Sequence, residues 1–216
     1  MENNSCCPTT APKTACSTTK KPSCCGLMLK GAFAGGIIMF LYLMASWMLV
    51  PWHMDTMKTF KNEKVIAKSL LDNAPKSGVY VLPFRPNAET APAVDKPFAF
   101  VAIKAEGFDC VKNMKATLSQ EFLLCLVLAG LLTCLLKKQT CGCPVAFSLK
   151  TGLLVALVHN APNLIWWHFP LNFTLVNAAD DVIGITLAGL VISKLVLCCG
   201  PKMTDCDMPK KTSCGT

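Results

Sequence analysis

The chain has 216 residues, 52% of them hydrophobic and only 16% charged, with a formal net charge of +8. Ordinary soluble domains carry roughly 25% charged residues, whereas here the charges crowd into a few stretches and leave long uncharged runs between them. That pattern excludes a soluble globular domain, and no nucleic-acid partner is expected.

Residues 1–28 are rich in Ser, Thr, Pro, Lys and Cys, with almost nothing to pack, and read as a disordered tail. The first apolar run, Gly31–Met54, carries no Asp, Glu, Lys or Arg. About 20 apolar residues at about 1.5 Å rise each cross a hydrocarbon core, so a first span is predicted over 29–52. The polar residues ahead of it and its length argue against a cleaved signal peptide.

A polar insert follows, over 53–115. Asn62–Asn73 (NEKVIAKSLLDN) is helix-like and Pro75 ends it. GVYVL (78–82) and PFAFVAI (97–103) have the β-branched and aromatic residues of strands, and FRPNAETAPAVDK (84–96) is the loop between them. So small a unit buries little core alone and is expected to lean on the membrane helices. A second span is predicted over 116–136, the uncharged run Phe122–Leu136 being extended back across Glu121. Residues 137–145 form a loop. Thr151–Ala179 is uncharged but interrupted by Pro162, Pro170 and Asn172, which gives a third span over 146–168, a short loop over 169–173 and a fourth span over 174–198. Residues 199–216 are a second Cys- and Lys-rich tail. The predicted fold class is an all-α membrane protein, a four-helix transmembrane bundle with a small α+β extracytoplasmic insert.

Lys and Arg near span ends set orientation, while acidic residues count little. Lys13, Lys20, Lys21 and Lys30 precede the first span, Lys137, Lys138 and Lys150 bracket the second connection, and Lys194, Lys202, Lys210 and Lys211 close the last span. The connection His168–Phe173 has none. Both termini and the 137–145 loop are therefore expected in the cytoplasm and 53–115 outside. Trp47, Trp52, Trp166 and Trp167 then fall together at the outer interface, as an aromatic belt does.

The 14 cysteines follow the opposite of a disulfide framework. Cys6, Cys7, Cys16, Cys24 and Cys25 lie in the first tail, Cys141 and Cys143 in the cytoplasmic loop, and Cys198, Cys199, Cys206 and Cys214 at the end of the chain. Only Cys110 is in the segment expected to face an oxidising compartment. Soft-metal binding, acylation of the juxtamembrane cysteines and plain disordered tails stand as readings, and no Cys-x-x-Cys pair favours the first. No metal site and no cofactor are expected.

At 100° per residue the polar and small residues share faces. Ser148, Gly152, Ala156, His159 and Asn163 fall within about 80° on the third helix, Gly31, Gly35, Tyr42, Ser46 and His53 within about 60° on the first, and Thr174, Asn177, Asp181, Gly184 and Ala188 within about 80° on the fourth. Small residues let membrane helices approach and polar side chains bond across the seam, so Gly31, Gly35, Gly152, Gly184 and Ala188 are expected at helix contacts.

His53, Glu121, His159, Asn160, Asn163, Asp180 and Asp181 all fall in the outer half of the predicted bilayer. Ionisable groups at such depth are costly and are usually paired. Asp181 with His159 is the pair expected, with Glu121 or His53 as a third member. Two bland readings compete. Asp180 and Asp181 could begin the last helix, favoured there by its dipole, and Pro162 could end the third helix early, leaving Asn160 and Asn163 to cap freed backbone groups.

SWMLVPWH (46–53) followed by GVYVLP (78–83), together with NAPNLIWWHFPLNFTLVNAADDVIGITLAGLVISKL (160–195), resembles a group of small bacterial integral membrane proteins of uncharacterised function, with a similar first span and outer insert. The resemblance covers roughly residues 30–198 and leaves out the cysteine-rich tails. It implies a bacterial cytoplasmic (inner) membrane and says nothing of activity.

No nucleophile–base motif, nucleotide loop or HExxH spacing is present, and no enzymatic activity is expected. The first functional expectation is a structural or interaction component of the cell envelope, working through its outer insert. The second is a small oligomeric transporter or proton-coupled carrier using the outer polar cluster. The expected partners are the lipid bilayer and either a second copy or an envelope protein.

Overall fold

A computed structural model describes residues 24–84, 97–139 and 143–197, with the side chains of Cys24 and Cys25 outside that description. Of the tail cysteines expected to be disordered, acylated or metal-binding, Cys24 and Cys25 open the first helix instead, while the others, Cys141 of the loop, and all but Phe84 of FRPNAETAPAVDK lie outside the described residues.

The chain is mostly helical, with four helices long and apolar enough to cross a membrane. They are α1 (Cys24–Met48), α4 (Cys110–Lys138), α5 (Pro144–Trp167) and α6 (Leu171–Ile192), the last extended by a π-helical turn over Ser193–Leu197. Between α1 and α4 come two short helices, α2 (Trp52–Thr56) and α3 (Glu63–Asn73), and two strands, β1 (Gly78–Leu82) and β2 (Ala99–Ile103). The strands form an antiparallel pair in which Tyr80 faces Val101.

Local chemistry explains where the long helices begin and end. Met48 closes α1 because Pro51 lies just beyond it, and Pro51 then opens α2. The helix α4 starts earlier than the apolar run suggests, because the Asp109 side chain accepts from the backbone N–H groups of Val111 and Lys112 at 3.0 Å. Asn62 caps α3 in the same way through Val65 N–H. Pro144 stands in the first turn of α5, where its missing N–H leaves nothing unsatisfied. At the other end of α5, His168 adopts a left-handed conformation (φ 54°), and the Phe169 N–H bonds the Asn163 carbonyl at 3.2 Å.

The two bland readings of α5 and α6 do not hold. Pro162 does not end α5, which continues to Trp167. Proline removes the N–H that Val158 would have bonded, and in the same turn Asn163 Nδ2 donates to the His159 carbonyl at 3.0 Å. Asp180 and Asp181 do not begin α6 either. They lie about 14 Å along it by the helical rise, too far inside for the dipole of its first turn to explain them.

The helices follow an open arc in the order α4, α1, α6, α5. Helix α1 packs along both α4 and α6, and α5 packs along α6, while α4 and α5 meet over very little of their length. The core of this arc is Met39, Cys125, Ala129, Leu132, Leu136, Ala188, Ile192 and Val196. Gly31, Gly35, Gly152, Gly184 and Ala188 are all buried. The closest approaches explain why. A Cβ on Gly152 would lie 3.0 Å from the Val182 Cα, and one on Gly36 would lie 2.9 Å from the Leu126 Cα. Backbone meets backbone at both places, so nothing larger fits without separating the helices.

The strand pair rests on the turn between α5 and α6. Phe100 stacks on Trp167 with ring centroids 4.3 Å apart, and Phe98 meets His168 edge-on at 5.5 Å. The end of the bundle bearing α2, α3 and the hairpin is called the insert end below.

Candidate functional site

The seven polar residues singled out in the sequence divide into two histidine–aspartate pairs, Asn160, which joins the second pair, and two outliers. The first pair is His53 with Asp180, at 2.9 Å between Nε2 and Oδ2. It was not the pairing expected, and it is the more deeply buried of the two, with 1% and 6% of each residue exposed. The Asp180 Oδ1 accepts from Ser46 Oγ at 2.6 Å and from the Tyr42 hydroxyl at 2.9 Å. Trp52 Nε1–H donates to Ser46 Oγ at 3.0 Å. The indole of Trp47 stacks on the His53 ring, centroids 3.8 Å apart and planes 12° from parallel.

Chain direction makes this network. Tyr42 and Ser46 are one turn apart on α1 and so share a face. The break after Met48 frees the chain, and α2 folds His53 back until its Nε2 is 3.2 Å from Ser46 Oγ. A carboxylate accepts only, so the proton in the His53–Asp180 bond is carried by Nε2. The other ring nitrogen, Nδ1, is buried and has no hydrogen-bond partner among the described residues.

The second pair is His159 with Asp181, at 3.1 Å between Nδ1 and Oδ2. Asn160 Nδ2 donates to the same Asp181 oxygen at 2.8 Å and to the Ala156 carbonyl at 3.0 Å. This pair is open, with 63% of the His159 side chain exposed. Neither expected third member joins it. His53 belongs to Asp180, and the side-chain hydrogen bond of Glu121 is with the Cys125 thiol, at 3.8 Å. Asn163 serves only its own helix.

These groups border a cavity of about 400 Å³ lying in the gap between α4 and α5, with α6 and α1 behind it. At the insert end it is lined by Trp47, Glu121, His159, Asn177, Asp180 and Asp181. Away from that end its walls are apolar apart from Thr151, whose hydroxyl donates to the Phe147 carbonyl of its own helix at 3.0 Å. Leu124, Leu128, Leu131 and Leu135 come from α4, Val155 from α5, and Met39 and Leu43 from α1. Glu121 and Leu135 lie about 21 Å apart along α4 by the helical rise. The cavity is therefore long and polar at one end only, and its volume falls within the range of about 300–1,000 Å³ found for small-molecule sites.

Chemically, the site offers two carboxylates with free oxygens. Asp180 has both of its oxygens engaged by Tyr42, Ser46 and His53. The Asp181 Oδ1 and the second Glu121 oxygen accept no hydrogen bond among the described residues. No group of three or more His, Cys, Asp or Glu side chains is placed to hold a metal ion among the described residues.

Sequence reasoning overlooked Trp47 and Asn177 as members of the site, though Asn177 had been placed on the polar stripe of the fourth helix. It also overlooked the gap itself. A signal for the His53–Asp180 pair was present, since neighbouring positions on a helix point about 100° apart and cannot serve one partner. Comparisons with protein-family models, with curated proteins and with solved structures give no match, so the resemblance to small bacterial membrane proteins rests on the stretches quoted above.

Proposed function

We propose that the protein is a non-enzymatic, multi-pass membrane protein that binds an amphiphile drawn sideways from the bilayer into the cleft between α4 and α5. The observation that carries this reading is the cleft's polarity: an apolar trough between helices, closed at the insert end by Glu121, His159 and Asp181. Consecutive helices joined by a short connection ordinarily pack against each other. Here they stand apart, and α6 forms the floor. With the insert outside and both termini in the cytoplasm of a bacterial cell, the polar end lies in the outer leaflet. The ligand then hangs its tail toward the membrane centre. The expected proton-coupled carrier is a variant of this reading, with His159–Asp181 as the titratable pair beside the ligand.

The test is photolabelling of the full chain in lipid nanodiscs with a neutral hexadecyl alcohol carrying a diazirine. Labels are expected to concentrate on Leu128, Leu131 and Val155, and Leu128→Trp should reduce them several-fold by filling the trough. Labelling no denser there than on Phe33 and Leu154, which are exposed elsewhere on the bundle, would refute the cleft.

A second reading, an envelope interaction component acting through the insert, has one observation in its favour. The helix α3 has no buried residue, and Val65 and Leu71 are open along it beside Lys64 and Lys68. Removal of α3 that abolishes co-purification of a partner while leaving photolabelling intact would favour this reading over the cleft.

A further inference from the structure

The chemistry at the polar end of the cleft names a class of ligand. We infer that the cleft takes a single-chain amphiphile with a cationic, alkylammonium head, an inference that rests on the amphiphile-binding reading above.

Three features agree. The first is charge. Glu121, Asp180 and Asp181 line that end, and no Lys or Arg among the described residues lines any part of the cavity. Asp180 is committed to its own network, which leaves Glu121 and Asp181 to face a ligand. His159 is hydrogen-bonded to Asp181, so it draws on one carboxylate and leaves Glu121 without a basic partner among the described residues. An anionic head would bring like charge against these groups in a medium where charge is weakly screened, whereas a cation completes them.

The second feature is Trp47. One face of its indole is covered by the His53 ring. Trp47 is nevertheless 47% exposed and borders the cavity, so part of its indole is left uncovered by His53. An indole face attracts an ammonium within about 6 Å of its centre, and tryptophan does so best among the aromatic residues. His53 and the Asp180 network hold that indole in place, which gives the buried pair a positioning role in ligand binding. The third feature is shape. The trough below the head site is narrow in section relative to its length and walled by leucines, which suits one alkyl chain.

A two-chain zwitterionic lipid also presents an ammonium. Its phosphate, however, would meet Glu121 and Asp181, and the one basic side chain lining the cavity among the described residues, His159, is already bonded to Asp181, so a single-chain amine is the better fit.

The experiment is competition against the neutral diazirine probe in nanodiscs of zwitterionic lipid. The competitors are hexadecyltrimethylammonium, hexadecyl sulfate and hexadecanol, each added at the same mole fractions. The ammonium compound should displace the label at a mole fraction about tenfold lower than hexadecanol, as a desolvated cation–aromatic contact and a facing carboxylate allow. Glu121→Gln and Trp47→Phe should each remove most of that preference and leave displacement by hexadecanol unchanged, a split that a misfolded variant would not show. Equal displacement by all three compounds, or preference for the sulfate, would overturn the cationic head while leaving the cleft standing. If the probe never concentrates in the cleft, the amphiphile reading itself falls and the inference falls with it.

Discussion

Asp180 and Asp181 are consecutive residues of α6, yet each bonds a different histidine: Asp180 meets His53 at 2.9 Å and Asp181 meets His159 at 3.1 Å. The 100° between adjacent helical positions sends one carboxylate inward to α1 and α2 and the other across to α5. The two pairs also differ in burial, and that difference decides what each can be expected to do.

The inner pair is structural first. Removing one partner of a buried pair strands the other, at about 3–5 kcal/mol, whereas replacing both with apolar residues of similar size is often nearly neutral. His53→Leu and Asp180→Leu should each lower thermal stability in detergent markedly, and the double variant should recover much of the loss. Simply additive losses would mean that the 2.9 Å contact contributes nothing.

The outer pair should behave differently. The His159 side chain is 63% exposed, so losing either partner leaves the other within reach of head groups or a ligand, and its coupling to Asp181 should be smaller than that of the inner pair. His159→Leu and Asp181→Leu should leave the fold nearly as stable as before and change the photolabelling of the cleft instead. A coupling as large as that of the inner pair would show that His159 is sealed from its surroundings and would count against an accessible head site.

Much of the architecture was legible because membranes demand long apolar runs. The four spans, the helix over 62–73 and the strand over 78–82 are plain from composition and period alone. The span ends were less so, since Asp109 extends α4 back to Cys110 by capping it and α1 stops at Met48 ahead of Pro51, whereas α5 runs through Pro162 as the third span over 146–168 requires. The site was legible in its membership and in the His159–Asp181 pair, and obscure in the pairing of His53 with Asp180. Grouping residues by depth put His53, His159, Asp180 and Asp181 together, but which histidine meets which carboxylate depends on the crossing of α1, α5 and α6 and on the reversal at Pro51. The cleft was not legible at all, because a gap is a property of two helices failing to meet, and neither sequence carries it alone.

Glycine substitutions separate close approach from mere burial. A side chain at Gly36 or Gly152 would press on the backbone of the neighbouring helix, at Leu126 and Val182. Gly36→Leu and Gly152→Leu should each cost about 1–3 kcal/mol or more, as overpacking does. A Cβ at Gly130 would sit 3.5 Å from the Ala32 Cβ, an ordinary contact, so Gly130→Ala should be nearly silent. Comparable unfolding temperatures for Gly152→Leu and Gly130→Ala would remove the case for a backbone seam between α5 and α6.

Orientation and pH can be read from two cysteines. The positive-inside bias places Cys110 outside and Cys143 inside, so in a cysteine-depleted background a maleimide that cannot cross the membrane should label Cys110 in intact cells and reach Cys143 only after permeabilisation. The reverse order would invert the topology. Cys143 also precedes the first turn of α5, where the backbone N–H groups of Ala146 and then Val145 favour the thiolate and draw the thiol below its ordinary range. The sign follows from the acid form being the neutral one. A lowered value favours the thiolate in the folded chain, so the interaction is fully present above the unfolded value of about 8.5 and is lost as pH falls through the lower folded value. In permeabilised membranes the alkylation rate of Cys143 should therefore rise with pH to a midpoint below about 8.5, and denaturation should move that midpoint up. A midpoint unchanged by denaturation would mean that the α5 N–H groups do not favour the thiolate.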